Sequence, residues 1–509
     1  MTHNLWRIFG TLVFALAIPA ALTAQQRDVE QAAATITPDD YAWRVGVIAH
    51  DSMQGRDTPS PGLDKTAEWI ASEFRRLGLR GGAEDGGFIQ RYPLRSVVMD
   101  ASTSSLAGGG VRLTFGEDLM LGRRASDGEA TGGLAIVSGT LEMEAAIGEG
   151  ALRGKHAVIV LPEDSPGLSR AGIAAFRSAG ALSIMSVSYA PDEDWDAAFA
   201  RTTRPSVRKG WGEQSNSGAP AASLEIRESS LARLVEARGV NLALLRARGG
   251  ADARVDAIAG LELTLTINSR DEEITAPNVV GILDGSDPEL KDEYVVFSGH
   301  MDHLGMGSPD ANGDSIFNGA DDDASGTVAV VEIAEAMVAL SSPPKRSMVF
   351  LLVSGEEKGL WGSEWFADHP TVPIEQLVAN LNTDMVGRNW TDTIVAIGKE
   401  HSDLGATLDR VNADHPELRM TAIDDIWPEE RFYFRSDHYN FARKGVPILF
   451  FFNGTHDDYH GRDDEPDRID AEKAARIARL VFYLGVDIGN APERPKWNPE
   501  SYARIVSDR

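Results

Sequence analysis

Residues 294–305 read YVVFSGHMDHLG, and the rest of the fold can be worked out from this stretch. Tyr294, Val295, Val296 and Phe297 form a short apolar run of the length and β-rich composition expected of a buried strand. The strand delivers His300 at its end and Asp302 two residues later. An apolar strand ending in metal-ligand side chains is what an open α/β sheet presents at its carboxyl-end crevice.

The same arrangement recurs along the second half of the chain. FNGADDDASG puts Asp321 in a loop before Ser325, read as a helix N-cap, and before the apolar series Val328, Val331 and Met337. MVFLLVSGEEKGLWGS follows a second buried strand with the adjacent carboxylates Glu356 and Glu357, and LVANLNTDMVGR ends a third at Asp384. DDYHGRDDEPD carries His460 shortly after the strand expected over Val446 to Phe452.

Imidazole and carboxylate without thiolate are the ligands of catalytic zinc sites that keep a position open. Two ions roughly 3.5 to 4 Å apart need a carboxylate that gives one oxygen to each. Asp321 is the expected bridge, with His300 and Asp384 completing one site and Glu357 and His460 the other. Adjacent glutamates cannot easily aim at one ion, so Glu357 is read as ligand and Glu356 as the free carboxylate. As general base, Glu356 takes a proton from the attacking water and returns it to the leaving amine. Asp302 is expected to orient His300, and Asp464 to orient His460.

These motifs resemble metallopeptidase family M28, the dizinc aminopeptidases and their carboxypeptidase relatives. GHMDHLG is similar to the first-ligand motif of the family, NGADDDASG to the bridging-aspartate motif, and SGEEKGLWGS to the base-plus-ligand motif; NTDMVGR and YHGRDDEPDRID resemble the last two. The resemblance implies two Zn²⁺ ions, other divalent cations being possible, and a cis peptide after the bridging aspartate, expected at Asp321–Asp322. It also implies a transition-state-stabilising tyrosine at Tyr433, although the cysteine pair that flanks it in those relatives is absent here.

Taken singly, an HxD or an EE is common on solvated surfaces; the ordered set at strand ends carries the reading. Asp322 and Asp323 read equally as loop carboxylates bonded to backbone amides, with Asp322 placed beside the ligands. His303 and His438 are read as supporting residues. Arg388 and Arg435 either touch substrate or neutralise an acidic site. Ser436-Asp437-His438 are contiguous, and contiguous residues rarely converge as a serine-hydrolase triad.

The chain opens with Arg7, an apolar run from Ile8 to Leu22 and Thr23-Ala24-Gln25, the order of a secretory signal with cleavage expected after Ala24. That makes the expected location periplasmic or extracellular, without stable membrane association afterwards. With no cysteine, disulfides, thiolate ligands and a cysteine nucleophile are excluded. A formal charge of −28 argues against nucleic acid as a partner and is compatible with metal cations. Oligomeric state is left open.

Thr37-Pro38 opens a helix to about His50, and a second follows Pro61 with Ala67, Ile70, Ala71, Phe74 and Leu77 on one face. From about residue 100 the texture turns to short β-rich runs and glycines, with a βαβ-like passage across 157–187. This part resembles the protease-associated domain often inserted in the family. Residues 190–221 read as long loops, and 261–268 as the return to the main sheet.

The expected organisation is therefore a signal over 1–24, a peptidase domain over 25–99 and 259–490, an inserted domain over 100–258, and a tail over 491–509. The expected fold is an α/β three-layer sandwich with a mixed central sheet, of the zinc-exopeptidase type, interrupted by a smaller β-rich α+β domain. The expected activity is that of a two-metal aminopeptidase acting on peptides. A carboxypeptidase or dipeptidase on the same scaffold is the near rival, and an inactive receptor or binding module is the rival from another class.

Overall fold

A computed structural model describes residues 26–506 apart from 123–126, 140–146, 149, 164, 166–167, 169, 213–221 and 250. The N-terminal apolar run lies outside the described residues. Among them, no helix is long and apolar enough to cross a membrane. Two compact units emerge, one from residues up to 92 and from 275 onward, the other from 93–274.

The larger unit is built on a mixed sheet. Tyr294–His300 lies between Ser347–Val353 and Leu377–Thr383, parallel to both, and Leu377–Thr383 continues in parallel to Ile448–Phe452. Beyond these, Thr393–Ile397 runs antiparallel to Ile448–Phe452, and Val279–Leu283 antiparallel to Ser347–Val353. Strand alternation divides the core in two. Val295, Phe297, Phe350 and Leu352 face one cluster, with Val45, Phe74, Ile333 and Leu480 from the helices Pro38–Ile48, Pro61–Arg76, Gly326–Ala339 and Ala471–Asn490. Val296, Val349, Leu351 and Phe450 face the other, with Phe366 and Phe441 from Trp361–Asp368 and His438–Ala442. The result is the expected three-layer α/β sandwich.

Each fully buried Val, Leu or Phe contributes about 1.5–3 kcal/mol, so the central strands are held on both faces and their ends are fixed points. Close helix–sheet approach is enforced at Gly485, where a β-carbon would meet the Phe297 ring at 2.3 Å.

The smaller unit has its own sheet, in the order Val111–Thr114, Ser105–Gly108, Arg254–Ile267, Gly128–Ser138, Lys155–Val160, Ser183–Ser188, Ala222–Arg227, Leu119–Leu121. It is wider than the expected 100–258. Arg254–Ile267 does not return to the main sheet: it pairs with Gly128–Ser138, and its alternating Leu261, Leu263, Leu265 and Ile267 fill the core of this unit. Nor is 190–221 all loop, since Asp192–Thr202 is a helix and Ser206–Lys209 a strand. The helix docks through Trp195, fully buried, whose Nε1 donates to Gly116 O at 2.6 Å while Arg227 lies 4.5 Å from its ring centroid.

Candidate metal centre

Strand ends of the larger unit bring the acidic and imidazole side chains together. His300 is the last residue of its strand, Asp384 directly follows Thr383, and Glu356 and Glu357 lie just past Val353. The aspartate run sits in the turn before the helix Gly326–Ala339. Asp323 ties these pieces: its Oδ2 accepts from His300 N at 3.1 Å, and its Oδ1 from Gly326 N at 2.8 Å and Met385 N at 3.1 Å.

Asp322 stands between two half-sites. Its Oδ1 lies 3.3 Å from His300 Nε2, which is itself 3.6 Å from Asp384 Oδ1. Its Oδ2 lies 3.2 Å from His460 Nε2, which is 3.3 Å from Glu357 Oε2. One carboxylate thus presents an oxygen to each of two imidazole–carboxylate pairs.

This corrects the bridge expected at Asp321. The Oδ1 of Asp321 is taken by Gly387 N at 2.6 Å and Ser325 Oγ at 2.9 Å, and its Oδ2 lies 3.3 Å from His456 Nε2. Three adjacent aspartates in a turn must point in different directions, and the one aimed between the half-sites is the second. The cis peptide lies at Asp322–Asp323 rather than Asp321–Asp322. Ser325 holds the expected N-cap position of the helix but makes no side-chain capping bond: its backbone is already helical, and its hydroxyl donates to Asp321.

Asp464 does not hold His460 either. Its carboxylate accepts from the backbone N–H groups of Asp321 and Asp322, at 2.9 and 3.1 Å, and so fixes the turn that aims Asp322. Asp302 accepts from Thr58 Oγ1 at 2.9 Å and from Glu356 N at 3.3 Å, while His300 Nδ1 is 3.2 Å from the Asp302 carbonyl. His303, fully buried, places Nδ1 2.9 Å from Glu357 Oε1.

The residues present fit divalent cations. Asp322 Oδ2, Asp384 Oδ1 and Glu357 Oε1 are buried beside imidazole nitrogens at 3.2, 3.6 and 2.9 Å, yet none of them accepts a hydrogen bond of acceptable geometry among the described residues. Buried carboxylate oxygens left in that state are costly, and two imidazoles with three carboxylates and no thiolate are a donor set suited to zinc. Ligand-type atoms of His303, Asp322 and Glu357 lie within 4.8 Å of one another, as do those of His300, Asp323 and Asp384. Asp323 is already occupied by three amides, which leaves Asp322 as the shared group.

Electrostatics follow the same division. Burial disfavours a charged His300, but Asp384, Asp302 and Asp322 outweigh it and hold its pKa well above the usual value. Burial likewise opposes charge on His460, yet Asp322 and Glu357 push its pKa up to about 10. Glu356 is held well above the usual carboxylate range by burial, against the pull of His300 and with Asp437 and Asp384 adding to it.

A cavity of about 50 Å³ opens on this cluster, bounded by His300, Asp322, Glu356 and Asp384 on one side and by Met385, Phe432, Phe450, Phe452 and Tyr459 on the other. Tyr433 does not line it. That ring is 5 % exposed, packs edge-on against His401 at 4.5 Å, and has its proton affinity raised by burial and then by Glu400. The phenol on the cavity is Tyr459, stacked on His460 at 3.9 Å, with its proton affinity raised by burial and then by Asp322 and Glu357. Its place beside His460 in the sequence was the signal available. Tyr459→Phe is expected to lower kcat and kcat/KM together by about tenfold or more while Tyr433→Phe leaves both near wild type, as steady-state kinetics would show.

Arg56 was not singled out from the sequence. Fully buried, it donates to Met301 O at 2.8 Å, Ile48 O at 3.0 Å, Asn318 O at 2.6 Å and Gly319 O at 2.9 Å. It therefore clamps the segment after His300 to the segment before Asp321. Burial lowers its pKa to about 10, against the surrounding Asp302, Asp322 and Asp464. Arg56→Met strands four carbonyl oxygens, each costing about 1–3 kcal/mol if buried unpaired. A loss of about 3 kcal/mol or more in denaturant unfolding is expected; a loss under about 1 kcal/mol contradicts the clamp.

An open α/β sheet whose strand ends gather imidazoles and carboxylates about one central aspartate has the architecture of a zinc-exopeptidase scaffold. Residues 278–485 match the model of Peptidase family M28. Among curated proteins, a probable zinc metalloprotease of Leptosphaeria maculans is 25% identical over 258 residues, 43% of this chain and 58% of that protein. A probable leucine aminopeptidase of Arthroderma benhamiae is 25% identical over 219 residues, 40% of this chain and 56% of that protein. The chain thus spans little more than half the length of these relatives. Among solved structures, an aminopeptidase from Aneurinibacillus sp. strain AM-1 aligns with a TM-score of 0.51 at 18% identity, over 92% of this chain and 98% of that one. A zinc aminopeptidase from Bacillus subtilis aligns at 0.50 and 16% identity, over 88% and 94%. At these identities the likeness is one of fold.

Proposed function

We propose that this chain is a two-metal exopeptidase that removes residues from the free N-terminus of peptides, and that it acts after export. The observation that carries the reading is Asp322, with one oxygen toward His300 and Asp384 and the other toward His460 and Glu357. Residues 1–24 motivate the export.

In this proposal His300, Asp322 and Asp384 would hold one zinc ion and Asp322, Glu357 and His460 the other, with other divalent cations as substitutes. Zinc supplies Lewis acidity that polarises the scissile carbonyl and acidifies water. Glu356, its backbone N–H held by Asp302, accepts the proton from the attacking water and delivers it to the leaving amine. Tyr459 O–H donates to the oxygen of the attacked carbonyl as charge develops there. Met385, Phe432, Phe450 and Phe452 offer the side chain beside the scissile bond an apolar wall, so apolar residues are the expected preference.

The excess of carboxylates around the cavity favours an ammonium group. Of the two arginines that could clamp a substrate carboxylate instead, Arg388 is engaged, with Nη2 donating to Asp458 at 2.8 Å. Arg435 lines the cavity and is half exposed, 3.3 Å from Glu430, and it keeps a carboxypeptidase or dipeptidase as the second reading. Matched peptides decide between them. Rapid cleavage of a C-amidated peptide and none of its N-acetylated partner is the expected result; the reverse preference establishes a carboxypeptidase, and cleavage of neither, with turnover of a free dipeptide, a dipeptidase.

A further inference from the structure

The unit formed by residues 93–274 contains a second cavity, unrelated to the aspartate cluster, of about 240 Å³. That is far above the ~15 Å³ that a single water needs. Its floor is apolar: Met99, Leu121 and Ile267 are 7 %, 9 % and 1 % exposed and belong to the main core of the unit. Its wall carries Arg204 and Arg208.

Strand geometry explains the arrangement. Val97 pairs with Ser206 and Arg95 with Arg208, antiparallel, and alternation puts Arg95, Val97 and Met99 on one face with Ser206 and Arg208. Arg95 is neutralised by Asp271, 2.7 Å away. The guanidiniums of Arg204 and Arg208 make no ion pair or hydrogen bond among the described residues. The neighbouring hydroxyls are already committed as donors, Ser206 Oγ to Val97 O and Thr202 Oγ1 to Phe199 O. In a chain with 77 acidic side chains to 49 basic ones, two nearby guanidiniums without a carboxylate are not a consequence of scarcity. An anion would offset their mutual repulsion, and the apolar floor beneath them suits apolar matter better than a hydrated inorganic ion.

We propose that this cavity binds a small amphipathic carboxylate, its apolar group on Met99, Leu121 and Ile267 and its carboxylate held by Arg204 and Arg208. A free amino acid is disfavoured, because its ammonium would face the two guanidiniums while Asp271 is taken by Arg95. The same chemistry has two sources, a fatty-acid anion and the C-terminus of a peptide with an apolar last residue.

The test is calorimetric titration of the zinc-loaded full-length protein with octanoate, N-acetylleucine, N-acetylleucinamide and leucine, repeated on Arg204→Gln, Arg208→Gln and the double variant. Both arginines are solvent-accessible, so the variants are expected to fold and to turn over a free dipeptide at the wild-type rate. Binding of a carboxylate probe at millimolar concentration or below, weakened about tenfold or more in the double variant and in the amide analogue, is the expected result. Binding of octanoate alone points to the acyl source, and binding of N-acetylleucine as well to the peptide end. Equal binding of N-acetylleucine and its amide, undiminished binding by the double variant, or no carboxylate binding up to about 10 mM each overturns the proposal.

Discussion

Asp322→Asn is expected to reduce bound zinc from two ions per chain to one or none and to lower kcat/KM by about 10³-fold or more, the scale on which individual electrostatic and acid–base groups act. Both half-sites lose a ligand in this variant, because each contains one oxygen of Asp322. The neighbouring Asp321→Asn is the discriminating control. Asp321 is bonded to Gly387 N and Ser325 Oγ, so its loss disturbs the turn without removing a ligand. A drop in metal affinity of about 10–100-fold is expected there, with two ions still bound at saturation. If Asp321→Asn empties the site and Asp322→Asn does not, the assignment is reversed.

The second large effect concerns Glu356. Glu356→Gln is expected to retain two zinc ions and to lose about 10²–10⁴ in kcat, since amide nitrogen cannot accept the proton of the attacking water. Its neighbour Glu357 provides the contrast: with Oε2 toward His460 and Oε1 toward His303, Glu357→Gln should cost metal before it costs anything else. Unchanged kcat in a metal-replete Glu356→Gln protein would remove Glu356 from the mechanism.

Which of these residues the sequence already groups together, and which the structure places elsewhere, has a physical reason in each case. His300, Glu356, Glu357 and Asp384 follow apolar strands, so chemistry and position could be read together, and the structure brings them to one crevice with His460. The aspartate run offers no such cue. Asp321, Asp322 and Asp323 are chemically identical and consecutive, and which one faces the crevice depends on backbone torsions set by remote partners, Asp464 for the turn and Met385 for Asp323. Tyr433 and Tyr459 pose the same difficulty: both lie near motif residues, but only the fold shows that one packs against His401 and the other stacks on His460. Arg56 was silent in sequence because its partners are carbonyl oxygens, which carry no residue type.

The limits of the smaller unit were misread for a related reason. Arg254–Ile267 alternates as any half-buried strand does, and alternation does not say which sheet a strand joins. The helix Asp192–Thr202 lacks a side-chain cap bond and is held mainly through Trp195, a tertiary contact invisible to local pattern.

The central claim, that one aspartate serves two ions, is tested most directly by a crystal of the zinc-loaded protein with anomalous diffraction recorded at the zinc edge. Two peaks are expected, one bonded to Asp322 Oδ1 beside His300 and Asp384 and one to Asp322 Oδ2 beside His460 and Glu357. A single peak, or a pair centred on Asp321 and His456, contradicts the account.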